Sequence, residues 1–543
     1  MSRSPAWLAA CLAIAIPLVL PLLVVGASVF LPGGEAWSHL TATVLPEYVT
    51  TTLILLTAVG CGVCVVGVTA AWCVTAFDFP ARRVFEWTLL LPLAVPAYVI
   101  AYAYTDWLQF SGPLQTWLRE VAGWHRGDYW FPEIRSLGGA AAMFVCVLYP
   151  YVYLLARVAF LEQSPSVAEA GRTLGLSTRA TFLRLTLPMA RPAIAAGAAL
   201  AMMETLADFG TVSYFGVQTF TTGIFRAWLS MGEPVSAARL SLLLLAFVAV
   251  IVVAERAARG RARFHPAGQR RARRARRRLH GARAWSATLA CALPLAAGFA
   301  IPVILLVRMA FASGDPQFGA RFLRLAAHSA ALATVSAVLA VAIALMLAYG
   351  ARIVRSPITT SVNRLAGLGY AMPGAVIAIG ILIPVARLDH ALADAGLARG
   401  LVLTGSIAML VYAYLVRFLG VALQTVEAGL AQVTPHMEDA ARSLGMGAGA
   451  TLARVHAPML RSSLVTAALL VFVDVMKELP ATFVMRPFDF DTLAVQAYNL
   501  AADERLAEAS TAALAIVAVG LLPVILAARR LVRGEAVTAR AGA

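Results

Sequence analysis

Charge is scarce in this sequence. Only 13% of its 543 residues are Asp, Glu, Lys or Arg, against 60% hydrophobic, and mean hydropathy is +0.79. A soluble domain cannot cover that much apolar surface, so lipid is the solvent for most of the chain. Lysine is almost missing. Lys477 is the only one, although the net charge is +16. It follows Asp474-Val475-Met476, so the chain has no G-x-x-x-x-G-K-[ST] loop to cradle phosphates. Cysteine stops at six residues, all in apolar stretches. Cys61 and Cys64 form a C-x-x-C without a second pair or a His cluster, whereas a zinc site needs about four ligands. Two-residue alternation is also missing, which excludes a membrane barrel.

Long apolar runs are abundant. A crossing helix needs about 20 mostly apolar residues, and about twelve such runs are present. The first half offers Ala6–Phe30, Thr50–Ala76, Val84–Tyr104, Leu137–Ala156, Pro192–Tyr214 and Ala237–Ala254. The second offers Trp285–Val307, Ala326–Tyr349, Leu365–Val385, Leu401–Val416 (with Leu423 as an alternative end), Ser463–Val484 and Leu506–Ala527. The first run exceeds the roughly 7–15 residues of a signal-peptide core, so it reads as a retained helix. The expected fold is an all-α polytopic membrane protein with about 12 transmembrane helices in two parallel six-helix repeats.

The basic residues lie between the apolar runs rather than interleaved with aromatics, which argues against nucleic acid as a partner. With the N-terminus in the cytoplasm, alternating spans place Arg82, Arg157, Arg184, Arg352, Arg417, Arg454 and most other arginines inside, as the positive-inside rule expects. Acids such as Asp106, Asp389, Asp489 and Glu504 then lie outside. The N- and C-termini are both cytoplasmic on this reading. The Arg256–Arg283 run repels itself and reads as a solvated tether resting on membrane lipid. The domain expectation is a first repeat over 1–255 with a loop at 157–191, a linker over 256–284, and a second repeat over 285–543 with a loop at 424–461.

An internal repeat supports that division. EAGRTLGLSTRATFLRLTLPMAR begins at Glu169, and DAARSLGMGAGATLARVHAPMLR begins at Asp439, an offset of 270 (439 − 169). Arg172 matches Arg442, Gly175 matches Gly445, and Pro188 matches Pro458. Each copy precedes the fifth span of its half. Two repeats of one orientation put two equal loops on one membrane face, a platform for a two-fold partner. An acid at the start of each short helix suits its dipole. Gly175 and Gly445 can take the left-handed conformation that ends it. Ser177 can cap the next turn, and Pro188 and Pro458 are expected to stop it before the span.

Both copies resemble the E-A-A…G…I-x-L-P loop of binding-protein-dependent ABC importer permeases. The first copy supplies Glu169, Ala170, Gly171, Arg172, Gly175 and Pro188; the second supplies Asp439, Ala440, Ala441, Arg442, Gly445 and Pro458. Gly171 departs from the usual Ala, and Asp439 from the usual Glu. The resemblance implies that these residues couple the chain to a cytoplasmic ABC ATPase dimer that binds the ATP. It also implies a periplasmic or lipid-anchored substrate-binding protein on the outer face and a place in the bacterial plasma membrane. It implies no cofactor on this chain, no resident metal and no catalytic residues.

Charge within spans is costly and faces a cavity or a partner. Glu204 and Asp208 lie four apart on one helix face, and Asp474 and Glu478 repeat the spacing. Lys477 can neutralise Asp474. These five residues are the candidates for the translocation pathway or its gate, with a static brace as the alternative. Pro92, Pro96 and Pro373-Gly374 suggest broken third spans. Tyr98, Tyr102, Tyr104, Tyr149, Tyr151 and Tyr153 read as interfacial anchors, and His436 and His456 as surface residues.

Cargo comes only from resemblance. DVMKELPAT from Asp474, RPFDFDTLA from Arg486 and YPYVYLLAR from Tyr149 look like the fused ferric-iron permeases. Permeases for thiamine, polyamines or aminoethylphosphonate share the loops. An ion-driven secondary transporter also uses twelve spans but has no need of matched E-A-A loops. A membrane enzyme would need a catalytic cluster, and none is visible.

Overall fold

The apolar runs fold as helices because no water is available to satisfy a backbone outside them. The computed structural model describes residues 5–32, 35–163, 171, 173, 175–259, 276–312, 319–354, 356–397, 402–431 and 433–540. The principal helices are α1 (Pro5–Ala27), α2 (Leu45–Ala76), α3 (Leu137–Glu162), α4 (Leu187–Ala207), α5 (Pro234–Arg259) and α6 (Ala282–Leu295). They continue with α7 (Ile301–Ala312), α8 (Ala320–Val354), α9 (Gly374–Asp394), α10 (Ile407–Leu430), α11 (Arg461–Met476) and α12 (Leu506–Arg540). Among the described residues, ten helical stretches are long and apolar enough to cross a membrane, and up to twelve if each of two bent pairs is one span. The protein is an all-α polytopic membrane protein.

Proline breaks the third span of each half in the same way. Leu91–Ala94 is a 3₁₀ turn, Val95 is extended, and Pro96 precedes a new helix that leaves at 91°. In the second half Leu368–Ala371 is a 3₁₀ turn, Met372 is extended, and Pro373 precedes α9. Proline withholds an N–H and pushes its predecessor out of the helical region, so both breaks follow from the sequence.

Two compact units emerge, one made of Met1–Thr43, Gly223–Leu245 and Pro316–Asn499, the other of Val44–Thr222, Ala246–Asp315 and Leu500–Ala543. In the second of these, α2, α3 and α4 pack on one another, joined by α6, α7 and α12. Gly67 and Gly197 both lie against Val152, where an added Cβ would come within 2.8 and 2.7 Å of it. Small residues admit such close approach between spans. In the other unit α8, α10 and α11 pack in the same arrangement, and α1 packs on α8 and α9. The first span of the first repeat therefore sits with helices of the second repeat, and the first span of the second repeat with helices of the first. The sequence repeats and the compact units are different partitions of the chain.

Three expectations change. The tyrosines are core rather than interface: Tyr98, Tyr102, Tyr104, Tyr149 and Tyr153 are buried, and Tyr104 and Tyr153 donate to the carbonyls of Ala297 and Glu86. His456 is fully buried. Arg157 and Arg417 lie within α3 and α10 rather than beyond them. Helices continue through a charge where that charge is partnered, which a hydropathy reading cannot register.

Candidate coupling loops and intramembrane charges

Both repeat loops turn on a glycine. Gly175 has φ of 70° and Gly445 of 77°. Leu176 N–H donates to the Gly171 carbonyl at 2.9 Å, and Met446 N–H to that of Ala441 at 3.0 Å. This is the six-to-one bond of a Schellman ending, formed identically at an offset of 270. Glu169, Ala170 and Arg172 lie outside the described residues, as does the linker from 260 to 275. Gly171 has a local reason: a Cβ there would lie 2.7 Å from Thr181 Oγ1. The next turn, Thr178–Thr181, is capped as expected, with Ser177 Oγ accepting from Ala180 N–H at 3.2 Å. Gly447 takes that place in the second copy and supplies no side-chain cap.

The second loop helix begins earlier than the repeat suggests. It spans Pro435–Ser443, so Glu438 stands in its first turn and Asp439, Ala440, Ala441 and Arg442 lie further on. The prolines act differently from the expectation in the first copy. Pro188 opens α4, which continues from Thr178 through a π turn at Phe182–Thr186 without a stop. Pro458 is followed by a 78° bend at Leu460. A matching π turn, Leu452–His456, precedes it. Each widened turn precedes a proline, which lacks an N–H and crowds the preceding carbonyls.

The two loops are anchored by different chemistry. In the first, Phe182 packs on Trp72 with ring centroids 4.4 Å apart, and Phe160 lies 5.6 Å from Trp72. In the second, Arg352 at the end of α8 donates to Glu438 and to the carbonyls of Leu430 and Val433. Tyr349 donates to the Ala448 carbonyl at 2.9 Å, and its ring lies 5.0 Å from that of His456. His456 Nε2 is 3.4 Å from Glu438. Neither Arg352 nor Glu438 stands out in the sequence; the acid nearest the motif, Asp439, draws attention instead.

The intramembrane charges divide into two kinds. Asp208 follows α4 in extended conformation and caps Gly210–Tyr214, accepting from Thr211 N–H at 2.8 Å and Thr211 Oγ1 at 3.1 Å. Glu478 does the same for Pro480–Met485, accepting from Ala481 and Thr482 N–H, both at 2.9 Å. Glu478 also pairs with Arg417 at 3.0 Å, with its side chain 1% exposed. Gly374 makes room for that pair, since a Cβ there would meet Arg417 and Glu478. The fifth spans are therefore broken at Asp208 and Glu478, because each carboxylate satisfies the N–H groups of a new helix start. Lys477 meets Asp474 at 2.9 Å, as the spacing predicts. Glu204 is half-buried on α4.

The motif that begins at Arg486 is also tied down. Arg486 pairs with Asp491 at 2.6 Å, and His328 stacks on Phe490 at 4.3 Å. Between them Asp489 has φ of 62°, and Phe488 is 94% exposed. Asp389, expected in an outer loop, is buried at the end of α9 and accepts from the N–H groups of Val402, Leu403 and Thr404.

Known proteins are similar to this chain in sequence. Residues 63–259 match the family described as binding-protein-dependent transport system inner membrane component. Over 96% of its length the chain is 27% identical to the Fe(3+)-transport system permease protein FbpB 2 of Haemophilus influenzae, covering 98% of that protein. It is 33% identical over 149 residues to the sulfate transport system permease protein CysW of Escherichia coli, which is 27% of this chain and about half, 48%, of that one. It is 25% identical over 190 residues to the molybdenum transport system permease protein ModB of Escherichia coli, 34% of this chain and 80% of that one. Residues 63–259 are thus similar to the binding-protein-dependent permease family and the whole chain to a single-chain permease, while its long apolar helices make it a multi-pass membrane protein.

Proposed function

We propose that the chain imports ferric iron, forming the translocation pathway and taking its driving force from a separate cytoplasmic ATPase dimer through the loops around Gly175 and Gly445. The full-length likeness to an Fe(3+) permease carries the cargo reading. The paired Schellman endings support the coupling reading, because two identically terminated short helices suit a two-fold motor. ATP binds the partner, and a periplasmic binding protein delivers the cargo to the outer loops, where Phe488 is displayed. Both termini are cytoplasmic. Glu204, Asp474 and Lys477 line the pathway or its gate, while Asp208 and Glu478 brace the broken fifth spans.

Reconstitution tests this reading. The chain in vesicles with its ATPase and a loaded ferric-binding protein is expected to hydrolyse ATP in a cargo-dependent way and accumulate radiolabelled iron. Unchanged iron uptake in cells lacking the chain would remove the iron assignment. Sulfate or molybdate is the second reading, favoured by the partial likeness to those permeases. Competition by either oxyanion would replace iron with it.

A further inference from the structure

Beside the first loop lies a cavity of about 450 Å³ that the transport reading does not use. Its walls are apolar: Trp72, Phe77, Phe182 and Leu279 line it, with Ala287 and Ala290 of α6. Three guanidinium groups, Arg179, Arg277 and Arg283, line it as well. They arrive from separate segments. Arg179 belongs to the turn after Gly175, and Arg283 to the first turn of α6. Arg277 is set by backbone pairing, since Arg277-Arg278 forms a short parallel ladder with Phe77-Asp78 and Leu279 N–H donates to the Asp78 carbonyl at 2.9 Å.

Among the described residues, no carboxylate lines the cavity. The neighbouring acids are committed elsewhere: Asp78 pairs with Arg82, and Glu86 with Arg82 and Arg276. Among the described residues, Arg179, Arg277 and Arg283 have no acidic partner. All three arginines are exposed beside an aromatic floor, so an anion that settled there would meet three positive charges with water on one side only. Thr178 and Ser286 also line it, the Ser286 hydroxyl donating to the Arg283 carbonyl at 2.9 Å.

We propose that this cavity binds the phosphate headgroup of an anionic phospholipid. The guanidinium forks suit phosphate oxygens, and the aromatic wall suits the glycerol and first acyl carbons. The position agrees with this ligand, because Trp72 and Cys73 end α2 while Arg283 and Ser286 begin α6. Span ends are where headgroups lie, and basic pockets between spans recruit them. Arg179 and Phe182 are shared with the first loop, so the lipid would join that loop to the ends of two spans. Arg277 and Arg283 close the Arg256–Arg283 run, so its general attraction for lipid becomes here one defined site, whose occupancy is independent of the cargo.

Native mass spectrometry of the detergent-purified chain tests the site, using phosphatidylglycerol, phosphatidylcholine and inorganic phosphate as probes. One phosphatidylglycerol is expected to be retained tightly, with phosphatidylcholine bound at least about tenfold more weakly, as charge-assisted bonds to phosphate imply. R179Q/R283Q is expected to lose the tight lipid while remaining monodisperse, and R179K/R283K to keep most of it. Brominated phosphatidylglycerol should quench fluorescence in the parent and quench W72F less. Equal lipid binding by parent and R179Q/R283Q would overturn the proposal. So would displacement of the lipid by millimolar inorganic phosphate, which would make this a free-phosphate site. Loss of ATPase co-purification in R179Q/R283Q with lipid binding unchanged would assign the cavity to the ATPase surface instead.

Discussion

Arg352 and Glu438 lie far apart in sequence and meet at the base of the second loop, where one guanidinium bonds the carboxylate and two main-chain carbonyls. The Arg352 side chain is 18% exposed and that of Glu438 is 9% exposed. Removing either partner strands the other in a nearly dry site, which costs about 3 kcal/mol. Arg352→Met is expected to be worse than Glu438→Gln, because it orphans three acceptors. Thermal unfolding in detergent and ATPase retention would check the order. Equal effects would show that the carbonyl bonds add nothing.

Gly171→Ala is expected to loosen the first loop. The new methyl would meet Thr181 at 2.7 Å, and overpacking of that kind costs about 1–3 kcal/mol. Thr181→Ala should restore it, as should Thr181→Ser in part. Ala441→Gly, in the other loop, should be mild. Pull-down of the ATPase by each variant separates these outcomes.

Gly175→Ala and Gly445→Ala should each cost about 1–2 kcal/mol locally, since a Cβ disfavours φ near 70°. Transport should fall while helix content, read by circular dichroism, stays the same. Robust transport by the double variant would remove these endings from the coupling mechanism.

Glu478→Gln is expected to lower folded yield as well as transport, because it leaves Arg417 without its carboxylate inside α10. Asp474→Asn and Lys477→Met should keep yield and change transport. A normal yield for Glu478→Gln would return Glu478 to the pathway.

Phe488→Ala should weaken stimulation of ATP hydrolysis by the binding protein roughly tenfold, as loss of an aromatic anchor does at other interfaces. Basal hydrolysis should not move. Unchanged stimulation would place docking elsewhere.

Much of the architecture was legible as one-dimensional pattern. Apolar run length predicts the spans, Pro96 and Pro373 predict the broken third spans, and Gly175 and Gly445 predict the left-handed stops. The anchors were not legible. Trp72 meets Phe182, and Arg352 meets Glu438, across long sequence separations that carry no periodic signal. The breaks at Asp208 and Glu478 were not legible for a related reason. A carboxylate in an apolar run looks like a pathway residue, whereas its bonds here go to the N–H groups that follow it.

The sequence by itself determined the solvent, the helix class, the duplication and the two glycine-ended loops, because hydropathy, backbone sterics and repeat spacing act locally along the chain. Tertiary structure alone decided which charges are partnered, how each loop is tied down, and that the first span of each repeat packs with helices of the other. Those outcomes depend on which side chains meet in space, and burial sets the cost of every charge left unmet.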